Sequence, residues 1–280
     1  MVIGHWSLKQ WVLSHLICLG ILLLVLFQLF QIIDNGLNVT VLDVGQGDAI
    51  LIRTPEYKNI LIDAGEGGQI NDELGKRIGF FDKTIDLFIL THPHFDHFGG
   101  LLDVMQKYQV KQIVMTGIDS DDPVYADLLQ KIKEQSIPII FPQNDEDIQI
   151  GKNTYLDIIY PFSGMNLIGQ KASNLNNTSV VTRLVHNNES LVMLPGDAEI
   201  GLEREILLSG QYLDSKILKL GHHGSRTATS DGFLSAVDPD TAVISAGKDN
   251  QFDHPHPETM ERIKNLDVRE TIDGTIEFNF

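Results

Sequence analysis

The sequence predicts an α+β fold, two sheets flanked by helices, set behind one N-terminal membrane-spanning helix. Three observations carry this prediction. The chain begins with a long uncharged apolar stretch; the remainder carries short apolar runs bounded by Gly, Asn, Asp and Pro; and most of those runs lead into loops or helices without a uniform strand–helix repeat. The expected organisation is a short tail over residues 1–15, an anchor over 16–33 and one domain over 37–280.

Residues 10–33 carry no formal charge, and 16–33 is almost wholly apolar. At about 1.5 Å per residue that stretch makes a helix of roughly 27 Å, near the thickness of a bilayer core. Gln31, Ile32, Ile33, Asp34, Asn35 and Gly36 follow in place of a small-x-small cleavage site, so the segment reads as a span in preference to a cleaved signal peptide. Lys9 before it and Asp34 after it bias the N-terminus inside and the bulk of the chain outside.

Beyond the anchor, residues 38–42 and 49–53 read as β-branched and apolar strands, separated by the glycine turn between Asp43 and Asp48. Residues 59–63 repeat the pattern, and 85–90 is a continuous apolar run suited to a strand buried on both faces. Further strands are expected at 112–115, 154–160, 179–185, 191–194, 217–220 and 241–245. Helices are expected at 101–108, 124–135, 200–209, 231–236 and 257–266, the last with Pro257 at its first position. The acidic clusters at 119–122 and 144–147 lack the alternating oxygen ligands and closing Glu of a calcium loop and read as solvated turns.

Asp and Glu number 38 against 21 Lys and Arg, a formal charge of −17. Residues 1–36 contain one Lys and one Asp, which cancel, so the excess belongs to the domain. Such a surface argues against a broad basic groove for nucleic acid. Hydrophobic residues make up 42%, enough for a sizeable core. The single cysteine, Cys18, excludes a disulfide framework and a cysteine-based zinc site, so any metal falls to histidine and carboxylate.

The most specific signal is His92, His94, Asp96 and His97, four metal-competent side chains within six positions directly after a buried strand. Together with Thr91 it resembles the signature of the metallo-β-lactamase fold. Other parts stand in the expected order: Asp63 closes an earlier strand, Gly196 and Asp197 follow 191–194, and His222, His223, Gly224 and Ser225 follow 217–220. With the Asp43-to-Asp48 turn, the combination is similar to the C-terminal hydrolase domain of the competence protein ComEC and its relatives, which include teichoic-acid phosphorylcholine esterases. The resemblance covers roughly 37–280.

It implies an αββα sandwich with a dinuclear site at the edge of the two sheets. His92 and His94 would hold the first metal and Asp96 and His97 the second; Asp197 would bridge both, and His222 would complete the second. His223 would make a supporting or substrate contact, a ligand role for it staying open. Asp63 would hold a ligand histidine in its tautomer. Many members supply a third histidine to the first metal; here Asn176, Asn177, Thr178 and Ser179 stand at that point, and Asn177 or Ser179 could meet the metal, a water or the substrate through an oxygen. The nearby His186 falls in an expected hairpin turn and is a poor ligand candidate. His254, between Asp253 and Pro255, is a candidate for binding the scissile group or protonating a leaving group. Asp43 and Asp48 would lie beside the metals, although hairpin chemistry alone accounts for both.

The expected cofactors are two divalent ions, zinc suiting the ligands best and manganese or iron as alternatives. The expected activity is metal-dependent hydrolysis of a phosphodiester, in a wall polymer, a nucleic acid or a small molecule, by a single-pass membrane protein whose domain faces the cell exterior, with no protein partner. Hydrolysis of another ester, an amide or a thioester stays open, because fold does not fix substrate. So do a metal-free binding module and a DNA-uptake accessory that binds without cutting; the latter is weakened by the single span and the missing basic stripe.

Overall fold

The computed structural model describes residues 7–32 and 36–280, with side chains for 7–27 and 36–280. Two compact units result, residues 1–35 and 36–280. In the first, α1 (Leu8–Ile32) begins well before residue 16, so the expected tail is helical from Leu8 onward; Ile33, the expected end, lies outside the described residues. The reason is a capping box: Ser7 Oγ accepts from Gln10 N at 3.3 Å, and the Gln10 side chain accepts from Ser7 N at 2.9 Å. Within α1, Leu8–Phe27 is long and apolar enough to cross a membrane.

The second unit runs β1 (Asn38–Val41), β2 (Ile50–Arg53), β3 (Asn59–Ile62), α2 (Ile70–Arg77), β4 (Thr84–Ile85), β5 (Leu87–Ile89), α3 (Phe95–Lys107), β6 (Gln109–Val110), β7 (Ile113–Val114), α4 (Pro123–Glu134) and β8 (Ile139–Ile140). It continues with β9 (Ile148–Gly151), β10 (Thr154–Tyr160), β11 (Val181–His186), β12 (Glu189–Leu194), α5 (Ile200–Ser209), β13 (Ile217–Lys219), α6 (Asp231–Val237), β14 (Thr241–Ile244), α7 (Pro257–Arg262), β15 (Asp267–Glu270) and β16 (Ile276–Asn279). One seven-stranded sheet has the order β16-β1-β2-β3-β5-β7-β8 and the other β15-β14-β13-β12-β11-β10-β9.

Alternation along the strands assigns each face to its layer. Val39, Ile52, Ile60 and Leu87 lie in register across the first sheet and, with Val41, Ile50, Ile62 and Ile89, meet Leu184, Val192, Leu194 and Val243 of the second. The opposite face of the first sheet, including Leu51, Leu61 and Phe88, packs under Leu74, Phe98, Leu101 and Leu128 of α2, α3 and α4. On the outer face of the second sheet, Met193, Leu218 and Ala242 are covered by Leu202, Ile206, Phe233 and Val237 of α5 and α6. Four layers result, helices outside and two sheets face to face, as expected.

Several boundaries differ from expectation for local reasons. The run 85–90 splits: Ile85 pairs with Val110 in a small separate sheet, and only Leu87–Ile89 joins the main one. The helix expected from residue 101 starts at Phe95, so Asp96 and His97 stand in its first turn rather than in a loop. Gly99 and Gly100 do not break it; they let α3 approach the backbone, where a Cβ on Gly100 would stand 2.0 Å from Ala64 O. His186 ends β11, its Nδ1 2.7 Å from Thr154 Oγ1, and does not occupy the turn. Ser179 precedes β11 instead of opening it.

Candidate metal centre

The chemistry-bearing side chains gather where strands of both sheets end, after β1, β3 and β5 of one and after β12 and β13 of the other. Asp63 follows β3 in a left-handed conformation, φ +55°, which turns its carboxylate back under the residues after β5. There it accepts from Thr91 N at 2.9 Å and Thr91 Oγ1 at 2.7 Å, and it lies 2.8 Å from His97 Nδ1. With Nδ1–H committed to Asp63, the lone pair of the neutral His97 ring falls on Nε2, and that atom has no hydrogen-bond partner in the protein. It points at Asp197 Oδ2, 3.2 Å away.

His92 is held in the same sense. Its Nδ1 lies 3.1 Å from Thr91 Oγ1, whose own proton goes to Asp63, so Nδ1 donates and Nε2 is left to face His94 Nδ1 at 2.9 Å and Asp197 Oδ2 at 3.9 Å. His223 donates from Nδ1 to Ser245 O at 2.8 Å, and its unpartnered Nε2 stands 3.3 Å from Asp96 Oδ2 and 3.4 Å from Asp197 Oδ2. Asp197, fully buried, is fixed by its backbone N donating to Ser179 Oγ at 3.1 Å, which in turn donates to Asn176 O at 2.7 Å.

The two consecutive histidines therefore exchange the places expected of them. His223 is buried and aims its free nitrogen between Asp96 and Asp197, whereas His222 is part exposed, turns Nδ1 toward Glu199 Oε1 at 3.2 Å and approaches Asp197 only to 4.0 Å. Left-handed conformations at both, φ +47° and +55°, decide which side chain enters. Ligand atoms of His92, His97 and Asp197 lie within 4.8 Å of one another, as do those of Asp96, His97 and His223.

Other expected residues are placed less centrally. Asp43 accepts from Gly45 N at 3.3 Å, ordinary turn chemistry. Asn177 Oδ1 accepts from Glu199 N at 3.0 Å, at the entrance of α5, and so supports the segment carrying Asp197 without reaching the cluster. Asp48 is buried within it, 3.3 Å from His223 Nδ1 and paired with Lys219. Lys219 was not anticipated: a lysine inside the apolar run of β13 is fully buried, with Nζ also 3.9 Å from Asp197 Oδ1. Its one sequence signal is a charge at an inward strand position. Glu199, which takes His222 Nδ1, likewise lies outside the expected set, whereas Thr91 belongs to the expected signature.

Burial works against protonation of His97 and His223, but carboxylates override it, Asp197 first in each case, and raise both well above the ordinary imidazole value. Burial likewise opposes ionisation of Asp96 and Asp197, and the surrounding imidazoles nonetheless hold both low. A metal-free site must thus borrow protons to balance its carboxylates. Orphaned, buried His97 Nε2, His223 Nε2 and Asp197 Oδ1 are the atoms a divalent cation would satisfy, and the donor set of histidine and carboxylate fits such an ion.

The cluster floors a cleft of about 350 Å³ whose mouth carries the exposed rings of Phe95 and Phe252. His254 lines it, stacked on Phe252 at 5.7 Å. Burial, with His222 and His223 nearby, pushes its imidazole down to about 4. Neutral at pH 7, it suits hydrogen bonding to a ligand oxygen and does not suit delivering a proton, the other role expected of it.

The profile of the metallo-beta-lactamase superfamily matches residues 42–248. The chain is 27% identical to ComE operon protein 3 of Bacillus subtilis (strain 168), over 100% of this chain and 37% of that protein, and 27% identical to competence protein ComA of Neisseria gonorrhoeae, over 88% and 32%. It thus spans about a third of the length of these relatives. Among solved structures, a diphosphatase of the PhnP family superposes with a TM-score of 0.50 at 14% identity, covering 87% of this chain and 98% of that one.

Proposed function

This chain belongs to the metallo-beta-lactamase superfamily, and from that premise we propose that it is a membrane-anchored, metal-dependent hydrolase of phosphodiesters whose domain faces the cell exterior. The observation that carries the reading is the convergence of unpartnered, buried ligand atoms on Asp197. Asp96, His97, Asp197 and His223 would hold one divalent ion, and His92, His94 and Asp197 the other, with zinc the best match and manganese or iron alternatives. When bound, the pair supplies Lewis acidity, which stabilises an anionic transition state and makes water nucleophilic near neutral pH.

The remaining work belongs to the chain. Asp63 and Ser245 hold His97 and His223 in the tautomer that presents Nε2. Lys219 fixes Asp48, and Ser179 fixes Asp197, so the floor of the cleft does not reorganise as charge develops. Neutral His254 binds a phosphoryl oxygen, and Phe95 and Phe252 exclude water at the mouth. The diphosphatase named among the similar structures supports phosphorus chemistry, and the local positive charge of the ions lets an acidic protein bind a phosphate.

A role in DNA uptake is the second reading, favoured by the likeness to a protein named for competence. Purified full-length chain in detergent should carry at least one metal per chain by plasma mass spectrometry and hydrolyse bis-p-nitrophenyl phosphate, with Asp96→Ala and His97→Ala losing activity. Substoichiometric metal, or hydrolysis unchanged in those variants, overturns the hydrolase; retention of DNA without cleavage would favour the second reading.

A further inference from the structure

The loop that follows α2 carries the most exposed aromatic pair of the second unit. Phe80 and Phe81 are 69% and 74% accessible and pack edge to face at 5.1 Å, beside the exposed Lys83, whereas the exposed Lys76 is paired with Glu73. Lys83 Nζ lies 5.8 Å from the Phe80 ring centre and 5.3 Å from that of Tyr108, so a cation and aromatic surface are presented together. The acidic neighbour Asp82 turns inward, accepting from Asn59 Nδ2 at 2.7 Å and Thr84 N at 3.0 Å. Aromatic rings exposed beside lysines are the composition of an interfacial membrane contact, and adjacent exposed phenylalanines need a reason in a soluble face.

Their position supplies that reason. Asn38, Arg53 and Asn59 lie in register at one end of the first sheet, opposite the end where Asp63 and His92 enter the site. Arg53 Nη1 donates to Arg77 O at 2.8 Å, and Asn59 holds Asp82, so the Phe80–Phe81 turn is tied to that same end. It is also the end at which the chain enters the domain from α1. Residues 33–37 are all the chain that separates α1 from β1.

We propose that the Phe80–Phe81 turn is a second membrane contact: the two rings enter the headgroup boundary of a bilayer and Lys83 faces its phosphates. The contact rests on the proposed anchoring of α1.

The test uses full-length chain in phosphatidylcholine–phosphatidylglycerol vesicles. Phe81→Trp and, as a remote reporter, Leu208→Trp on α5 are compared for quenching by doxyl-labelled lipid, after subtraction of the wild-type signal from Trp6 and Trp11. Carbonate extraction of the same vesicles reports the anchor separately. The expected result is quenching at least about twofold stronger at position 81 than at 208, lost when Lys83→Glu is added. Equal, weak quenching in chain that resists extraction overturns the contact while sparing the anchor. Blue-shifted but unquenched emission at position 81 would assign the turn to a second copy of the chain and also overturns it. Release by carbonate removes the anchoring itself.

Discussion

The order of His222 and His223 is the residue-scale feature on which the site turns. His223→Ala removes a buried nitrogen aimed between Asp96 and Asp197, whereas His222→Ala removes a ring that leans on Glu199. The first should lose one metal per chain and at least about a hundredfold in phosphodiester hydrolysis; the second should keep its metal and lose less than about tenfold, as counted by plasma mass spectrometry and steady-state rates. Lys219 makes an independent prediction. Lys219→Met strands the Asp48 carboxylate in the core and should cost about 3–5 kcal/mol in chemical denaturation, while adding Asp48→Asn should recover part of it. That His92, His94, Asp96 and His97 form a cluster was legible because few sequences crowd three imidazoles and a carboxylate without a use. Which of two adjacent histidines enters the site was not, since alternation along a strand says nothing about two consecutive left-handed residues. Nor was the burial of Lys219, because one lysine in an apolar run reads equally as an edge or a snorkelling position.

At the scale of elements, the site depends on close backbone approaches that only glycine permits. Gly47, at φ +107°, brings the loop after β1 against the start of α3, where a Cβ would sit 1.9 Å from Asp96 O. Ser245 donates to Gly47 O at 2.8 Å and locks the loop from the second sheet. Gly47→Ala should therefore push the loop off Asp96, cost about 1–3 kcal/mol in thermal unfolding and weaken the ion proposed at Asp96 more than the one proposed at His92 and His94. Metal titration of the variant checks this, and equal loss at both positions would count against it. Most strands of the two sheets and the helices α4, α5 and α6 were readable from their periodicity, because each buries one face continuously. α2 carries no such pattern: its sequence is polar, with Leu74 the central apolar contact. β16 is not readable either, because its reason to exist is a pairing with β1, Asn38 opposite Asn279, which no local pattern encodes.

At the scale of the whole molecule, the formal charge of −17 bears on how metal and fold support each other. Asp48, Asp63, Asp96 and Asp197 crowd the centre, with Lys219 as a fixed cation, so the metal-free fold relies on protons held by His97 and His223. Both imidazoles bind a proton more tightly folded than unfolded. Their contribution to stability is complete below the ordinary value of 6.5 and is lost as pH rises through the raised folded value. Chelated protein should accordingly lose melting temperature as pH climbs above about 6.5. Bound ions remove the need for those protons, so metal-loaded protein should stay nearly level over the same range. At free metal a thousandfold above its dissociation constant, mass action adds about 4 kcal/mol, roughly 10 °C in a domain of this size, and the gap should widen with pH. Differential scanning calorimetry with and without chelator between pH 6 and pH 9 measures both effects. Parallel curves would mean that metal and protons do not compete for His97 and His223, and would remove those residues from the metal centre.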